Sequence, residues 1–272
     1  MDNRPIGVFD SGLGGLTAVK KLREVMPAET IVYFGDTGRV PYGTKGRETI
    51  LRYARQDMRF LLSKNVKLLV AACGTVSSMM DEETAAALPA PFLSVIQPAA
   101  RRAAACSKTG RIGVLGTAAT VRSGSYTAAL RALRPEAEVV SAACPMFVPL
   151  VENGCCGHPA ARLFAAEYVQ PLLAAGVDAV ILGCTHYPLL LPVLRELFGP
   201  DCALIDPGAE TALAARDLLT ERGMRCHSGQ GGVSLYVSDL TDSFETVAAR
   251  FLQAPVEGRT ETVRIDEYAD VH

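Results

Sequence analysis

The fold is decided by the stretch Leu68-Leu-Val-Ala-Ala-Cys-Gly-Thr-Val-Ser-Ser78. Its apolar first half, residues 68–72, is typical of a buried strand. Cys73 follows at once, and the glycine and hydroxyl residues after it are suited to the start of a helix. The pattern therefore places a cysteine at the carboxyl end of a strand, which is where open α/β sheets bind their ligands.

A second stretch of the same kind, Ala179-Val-Ile-Leu-Gly-Cys-Thr-His-Tyr187, occurs in the second half of the chain. The strand patterns Ile6-Gly-Val and Ile112-Gly-Val precede Cys73 and Cys184 at similar distances, and each cysteine is followed closely by a threonine. These matches indicate a degenerate internal repeat, although any two α/β units share strands of this type.

Strands alternate with amphipathic helices along the whole chain, which predicts an α/β fold. We expect two pseudo-symmetric lobes, each a mostly parallel sheet flanked by helices, with the active site between them. Residues 98–207 are predicted to form the second lobe. The few elements after them are too few for an independent domain, so the first lobe is predicted to be discontinuous, with residues 1–97 plus 208–272.

Local patterns give further expectations about individual segments. Residues 79–87 favour a helix, whereas residues 116–120 and 149–154 are predicted as a turn and a loop. A helix is expected to begin after each of the two cysteines. The polar tail from Pro255 onward is predicted to lie on the surface.

The composition limits the classes of function. The chain has 272 residues and a formal net charge of −2. It has no long basic patch of the kind that binds nucleic acid, so no nucleic-acid partner is expected. No apolar segment approaches the roughly 18 to 20 residues that span a bilayer, and no leader peptide is visible, so we expect a cytoplasmic enzyme with no membrane partner. The eight cysteines are then expected to be reduced thiols, serving as core residues, metal ligands or nucleophiles.

Two cysteines at equivalent strand ends, one from each lobe, would face each other across the cleft. One thiolate could remove a proton from a carbon while the other thiol returns a proton to the opposite face, which inverts a stereocentre without a cofactor. Because a free cysteine titrates near about pH 8.5, the thiolate needs stabilisation, and a helix start after each cysteine would provide it.

At this point the chain resembles the bacterial glutamate racemases, cofactor-independent enzymes of the aspartate/glutamate racemase superfamily. The matching motifs run from Ile6 to about Gly208 and are specific in combination. They are Ile6-Gly-Val-Phe-Asp-Ser-Gly-Leu-Gly-Gly-Leu16, Tyr33-Phe-Gly-Asp-Thr37, Val40-Pro-Tyr-Gly43, Ala72-Cys-Gly-Thr75, Pro149-Leu-Val-Glu-Asn-Gly154 and Leu182-Gly-Cys-Thr-His-Tyr-Pro-Leu189.

The resemblance implies a set of site residues. Cys73 and Cys184 would be the catalytic acid/base pair, with Asp10 assisting Cys73 and with Glu152 and His186 assisting Cys184. The expected substrate-binding residues are Asp10, Ser11, Tyr42, Gly43, Gly74, Thr75, Thr185 and His186, with Thr117 and Thr120 as weaker candidates. The implied activity is racemisation of L-glutamate to D-glutamate without cofactor or metal, supplying peptidoglycan synthesis, and a homodimer is expected.

One position departs from the family pattern, since Gly74 replaces an asparagine that belongs to the substrate-binding set. Losing a hydrogen bond to a charged substrate group costs roughly 1.5 to 3 kcal/mol. Two rival hypotheses therefore stay open. The first is a racemase for aspartate or another acidic amino acid, and the second is a weakened homologue that serves as a ligand-binding or regulatory protein.

Other motifs have simpler interpretations. Cys155-Cys-Gly-His158, with Cys144 nearby, has the ligand types of a zinc site but lacks a Cys-x-x-Cys pair, so no metal is predicted. The glycine turn after Asp10 lacks the spacing of a dinucleotide-binding loop, because Thr17 occupies its last position. Asp10 itself could cap the helix that follows. The remaining cysteines are expected to be core or surface thiols; they are Cys106, Cys202 and Cys226.

Overall fold

The computed structural model describes residues 2–256 and 260–269. Its strands are β1 (Ile6–Asp10), β2 (Ile31–Gly35), β3 (Leu68–Ala71), β4 (Phe92–Ser94), β5 (Arg111–Gly116), β6 (Glu138–Ala143), β7 (Ala179–Leu182), β8 (Ala203–Ile205), β9 (Val233–Val237) and β10 (Thr260–Thr262). Its helices are α1 (Leu16–Val25), α2 (Arg47–Ser63), α3 (Gly74–Ser77), α4 (Glu82–Ala86), α5 (Ile96–Cys106), α6 (Ala118–Ser123), α7 (Ser125–Leu133), α8 (Phe147–Glu152), α9 (Pro159–Ala174), α10 (Leu191–Phe198), α11 (Pro207–Glu221) and α12 (Phe244–Leu252).

The described strands form two parallel sheets. One has six strands in the order β10-β9-β2-β1-β3-β4, and the other has four strands in the order β6-β5-β7-β8. Strands that neighbour each other in space are separated in sequence by helices, as parallel pairing requires. The predicted α/β fold of two parallel sheets flanked by helices is confirmed.

The central strands are largely apolar because helices cover both faces of each sheet. Every residue of β1, β2, β3 and β7 is buried. The repeated strand patterns occupy equivalent places, since β1 lies beside β3 in the first sheet and β5 lies beside β7 in the second. The two cysteine-bearing strand ends are therefore positioned alike.

Helix α11 joins the two sheets, because it packs against α1 of the first half and α5 of the second half. It begins where Asp206 caps its first turn by accepting hydrogen bonds from the backbone amides of Gly208 and Ala209. The division of the chain into residues 1–97 plus 208–272 and residues 98–207 remains our proposal. No helix among the described residues is both long and apolar enough to cross a membrane.

Several local expectations were wrong, and capping explains them. Residues 79–87 do not form one helix, because Asp81 caps α4 by accepting a 2.7 Å hydrogen bond from the Thr84 amide. The expected turn at residues 116–120 instead leads into α6, which the Thr117 hydroxyl caps. The expected loop at residues 149–154 is mostly helix α8, because a proline is tolerated in the first turn of a helix.

The described residues of the tail are largely exposed, as predicted, but they also pack against the first sheet. Strand β10 pairs with β9 and extends the first sheet. Ile265 is buried, and the ring of Tyr268 packs edge-on against Phe60 at a centroid distance of 5.5 Å. These residues complete the packing around α2. The tail residues 257–259 and 270–272 lie outside the described part of the chain.

Candidate active site

The candidate site is a cavity of about 370 Å³ at the carboxyl ends of the central strands of both sheets. Cys73 lies two residues beyond β3, and Cys184 lies two residues beyond β7. Ser11 directly follows β1, and Thr117 directly follows β5. Each sheet therefore places one hydroxyl and one thiol in the cavity lining, Ser11 and Cys73 from the first and Thr117 and Cys184 from the second.

Nearly all of the predicted site residues line this cavity. They are Ser11, Tyr42, Gly43, Cys73, Gly74, Thr75, Thr117, Glu152, Cys184, Thr185 and His186. Asp10 and Thr120 are the predicted residues that do not: Asp10 is buried beneath the turn that carries Ser11, and Thr120 hydrogen-bonds Thr117. Other lining residues were not predicted, namely Gly12, Val40, Pro41, Thr44, Ala118, Cys144, Pro145, Val148 and Pro149.

Cys73 sits in a buried environment that favours the neutral thiol. Its sulfur donates a 3.4 Å hydrogen bond to the Ser11 hydroxyl. Burial, with the charge of nearby Asp10, raises the pKa of Cys73 to about 12. The helix start after Cys73 does not reverse this effect, because α3 is only four residues long. Cys73 is therefore suited to be the thiol of the expected pair of one thiolate and one thiol.

Asp10 is the ionisable group beneath Cys73. It is 1% exposed, and its Oδ2 atom accepts a 3.1 Å hydrogen bond from the Gly12 amide. Burial raises the pKa of Asp10, and the nearby charge of His186 opposes that shift. Asp10 Oδ1 has no hydrogen-bond partner among the described residues.

Cys184 has a different partner, the imidazole of His186. The Nδ1 atom of His186 lies 3.7 Å from the Cys184 sulfur, and Nε2 lies 3.0 Å from Glu152 Oε1. Burial alone lowers the pKa of His186, but the hydrogen bonds to Cys184 and Glu152 outweigh it and raise the pKa to about 10. His186 is therefore an imidazolium at neutral pH, and an imidazolium beside a sulfur stabilises a thiolate.

No α-helix begins directly after Cys184, contrary to the sequence prediction. A short 3-10 helix, Tyr187–Leu190, starts only after His186. The His186–Glu152 pair therefore takes the place of the expected helix dipole. A 3.7 Å contact with a charged ring is a stronger influence on the sulfur than the end of one short helical turn.

Two residues of α12 hold this pair, and no sequence motif marked them as part of the site. The Phe251 ring packs edge-on against the His186 ring at 4.9 Å. Arg250 donates hydrogen bonds to the carbonyl oxygens of Val151 (3.2 Å) and Glu152 (2.5 Å) at the end of α8. Residues far apart in sequence thus fix both the imidazole and the backbone that carries its carboxylate.

The remaining polar lining consists of hydroxyl and backbone groups. The Thr75 and Thr117 hydroxyls are 3.1 Å apart and link the two sides of the cavity, and Thr117 is 3.0 Å from the Thr120 hydroxyl. The described lining residues include no lysine or arginine. Apart from His186, the groups that would hold an anionic ligand are therefore neutral donors.

The two sides of the cavity approach each other most closely at glycines. A Cβ atom on Gly74 would lie 2.4 Å from the carbonyl oxygen of Gly183, and one on Gly14 would lie 2.3 Å from the Thr185 hydroxyl. An asparagine at position 74 would meet the same carbonyl. Gly74 is thus required by the contact between backbones, beyond its effect on substrate hydrogen bonding.

The described residues contain no group of side chains that could hold a metal ion. Within residues 2–256 and 260–269, no three His, Cys, Asp or Glu side chains are grouped as a metal site requires. The sequence Cys155-Cys-Gly-His158 follows α8 outside the cavity lining.

The titration of His186 gives a prediction about stability. Its folded pKa of about 10 lies above the ordinary value of about 6.5, so the protonated ring stabilises the fold fully below about pH 6.5. That contribution declines as pH rises and is gone above about pH 10. We expect the difference in unfolding free energy between wild type and His186→Asn, measured with urea, to shrink over this range.

Glu152→Gln supplies the matched control for this titration. It removes the negative charge that raises the pKa of His186 and leaves an amide oxygen that can still accept from Nε2, so wild type and Glu152→Gln should also converge with rising pH, with a smaller change. A stability difference between wild type and His186→Asn that stays constant from about pH 6 to about pH 10 would contradict the account.

The close approach at Gly74 predicts that even one methyl group destabilises the protein. Gly74→Ala should lower the unfolding free energy by about 1 to 3 kcal/mol, because the new Cβ would overlap a backbone oxygen. Gly46→Ala is the control, since its Cβ would meet nothing within 4 Å. Equal denaturant midpoints for the two variants would show that the backbones do not constrain position 74.

Comparisons with known proteins agree with this geometry. The family model of the Asp/Glu/Hydantoin racemases matches residues 6–215. The glutamate racemase of Geobacter metallireducens is 46% identical over 92% of this chain and 93% of its own length. That of Neisseria meningitidis serogroup B is 41% identical over 93% of this chain and 94% of its own length.

Solved structures give the same result. Glutamate racemase from Francisella tularensis in complex with D-glutamate matches with a TM-score of 0.91 at 36% identity, over 98% of this chain and 100% of that one. The Thermus thermophilus enzyme in complex with beta-chloro-D-alanine matches with a TM-score of 0.85 at 38% identity, over 97% of each chain. The resemblance inferred from the motifs is confirmed, and the chain belongs to the Asp/Glu/Hydantoin racemase family.

Proposed function

We propose that this protein is a glutamate racemase that interconverts L-glutamate and D-glutamate through two cysteines and no cofactor. The observation that carries the proposal is the placement of Cys73 and Cys184 at equivalent strand ends of two sheets, lining one cavity. Relatives at 41 to 46% identity over most of the chain are glutamate racemases, which supports the choice of substrate.

The environments of the two sulfurs suggest which one starts as the base. Cys184, beside the His186 imidazolium, is suited to be the thiolate that removes the α-proton. Cys73, buried and neutral, is suited to be the thiol that donates a proton to the opposite face of the α-carbon. The carbon–hydrogen bond on one face breaks, its proton passes to Cys184, and a new bond forms with the proton of Cys73.

After this step the roles of the sulfurs are exchanged. Cys73 is now a thiolate above buried Asp10, and Cys184 carries the proton taken from the substrate. This state is the starting state for the opposite enantiomer, so the same pair serves both directions. Exchange of the thiol proton with solvent, or proton transfer involving Asp10 and His186, returns the free enzyme to its first state.

The substrate groups are assigned to neutral donors. Ser11, Thr75 and Thr185 provide hydroxyls, and Tyr42 and Gly43 contribute backbone to the wall of the cavity. We propose that they bind the carboxylates and the amino group of glutamate. A lysine or arginine in their place would favour thiolates at both sulfurs, and the mechanism needs one thiol and one thiolate.

The cellular role that accompanies this activity is the supply of D-glutamate for peptidoglycan. We propose this role, together with a cytoplasmic location and a homodimeric assembly, from the likeness to bacterial glutamate racemases over most of the chain.

A second candidate is a racemase for aspartate or another acidic amino acid, and Gly74 is the observation that favours it. Without a side chain at this position, the cavity lacks a donor that the family pattern provides. Turnover of a panel of amino acids in the same assay separates the two substrates. Calorimetric binding of glutamate without turnover would indicate instead a ligand-binding homologue.

Single substitutions of the two cysteines test the mechanism. Cys73→Ala and Cys184→Ala should each reduce racemisation of L-glutamate and of D-glutamate by at least about a hundredfold, because each removes one proton carrier. The loss of optical signal, followed by circular dichroism at saturating substrate, measures the rate.

Cys106→Ala is the control for the loss of a thiol, since Cys106 lies on α5 away from the cavity lining. Its activity should equal that of wild type. Full activity in either catalytic-site variant would contradict the two-thiol mechanism. No optical change with wild type at high enzyme concentration would contradict glutamate racemisation itself.

A further inference from the structure

A cluster of buried charged side chains lies behind the cavity wall, and the mechanism above does not use it. We call it the Asp36 cluster; its members are Asp36, Arg39, Tyr42, Gln56, Asp57 and Ser238. The side chains of Asp36 and Asp57 are fully inaccessible, and that of Arg39 is 15% exposed. Of these residues only Tyr42 also lines the cavity.

The hydrogen bonds around Asp36 all point toward its oxygens. Its Oδ2 atom accepts from Arg39 Nε at 2.7 Å and from the Tyr42 hydroxyl. Its Oδ1 atom accepts from the Ser238 hydroxyl at 2.7 Å. The Arg39 guanidinium can only donate, and its charge is balanced by the Asp36 carboxylate in a buried ion pair.

Asp57 has the complementary role. Its Oδ1 atom accepts from Arg39 Nη2 at 3.1 Å, and its Oδ2 atom lies 3.3 Å from the Tyr42 hydroxyl oxygen. The single hydroxyl hydrogen of Tyr42 is already directed at Asp36, so a proton on Asp57 Oδ2 satisfies the remaining contact. Burial, with the charge of Asp36, raises the pKa of Asp57 well above its usual range, which agrees with a neutral acid.

The cluster is connected to the cavity through Tyr42. Residues 40–44 form one wall of the cavity, and the buried Tyr42 ring is the part of this segment that reaches back into the cluster. The partners of the cluster come from the end of β2, from α2 and from the residue after β9. Asp36 is also tied to the acid/base site, because its amide donates a 3.0 Å hydrogen bond to the Asp10 carbonyl.

We propose that Asp36 and Arg39 are positioning residues that hold residues 40–44 in the substrate-binding position through the Tyr42 hydroxyl. Neither residue lines the cavity, so they act on substrate affinity and not on proton transfer. This inference rests on the proposed racemase function and adds to it two residues, Asp36 and Arg39, that were not among the predicted site residues.

Two isosteric substitutions separate this role from a general loss of stability. In Asp57→Asn the amide can donate to the Tyr42 oxygen and its carbonyl can accept from Arg39, so every hydrogen bond is kept. In Asp36→Asn the amide can donate only to a hydroxyl oxygen, such as that of Ser238, and the negative charge that balances Arg39 and orients the Tyr42 hydroxyl is lost. Both variants replace a buried carboxyl group of the same cluster with an amide, but only Asp36→Asn removes the charge that Arg39 and Tyr42 face.

Racemisation kinetics in both directions provide the measurement. For Asp36→Asn we expect KM to rise by about tenfold or more for L-glutamate and for D-glutamate, with kcat within about threefold of wild type. Asp57→Asn should keep both constants within about threefold. Tyr42→Phe should raise KM as Asp36→Asn does. The double variant Asp36→Asn/Tyr42→Phe should have a KM no higher than that of Asp36→Asn alone, because both substitutions act on the same hydrogen bond between Tyr42 and Asp36.

Each outcome decides the proposal. Equal effects of Asp36→Asn and Asp57→Asn, or a fall in kcat with unchanged KM, would overturn it. If Asp36→Asn does not fold, Tyr42→Phe carries the test, since it deletes one hydroxyl, and an unchanged KM in that variant would overturn the proposal as well. Absence of racemisation by wild type would instead refute the proposed function, and this inference with it.

Discussion

The arrangement of the site depends on one contact between backbones, the approach of Gly74 to the carbonyl oxygen of Gly183. The space for a side chain at position 74 is already occupied, since a Cβ atom would lie 2.4 Å from that oxygen. Cys73 is the residue before Gly74, and Cys184 is the residue after Gly183. A contact that brings the two strand ends together therefore also brings the two thiols to one cavity.

The internal repeat makes the two halves of the site similar in backbone, and different side chains make them unlike in charge. The sulfur of Cys73 is buried above a carboxyl group, which stabilises the thiol. The sulfur of Cys184 lies beside an imidazolium that Glu152 and Phe251 hold in place, which stabilises a thiolate. The proposed mechanism depends on this difference between the two sulfurs, because proton transfer across a carbon starts from one thiolate and one thiol.

The sequence was sufficient for features that local pattern encodes. Apolar runs followed by cysteines predicted the strand ends, and the family motifs predicted most of the cavity lining. Features that depend on contacts between distant residues were not predictable. The role of Arg250 and Phe251 arises only when α12 packs against α8 and His186, and Asp57 is an ordinary polar residue of α2 until it faces Asp36. The loop predicted at residues 149–154 failed for a local reason, because a proline within the first helical turn looks like a helix breaker.

The central claim is that two thiols on opposite faces of one carbon exchange a proton with the substrate. Its most direct test is the isotopic content of the first product formed from L-glutamate in deuterium oxide, measured by mass spectrometry or proton NMR. The account predicts that early D-glutamate carries deuterium at the α-carbon, while unreacted L-glutamate keeps its hydrogen. Early D-glutamate that retains the substrate hydrogen would mean that a single base serves both faces, and it would contradict the account.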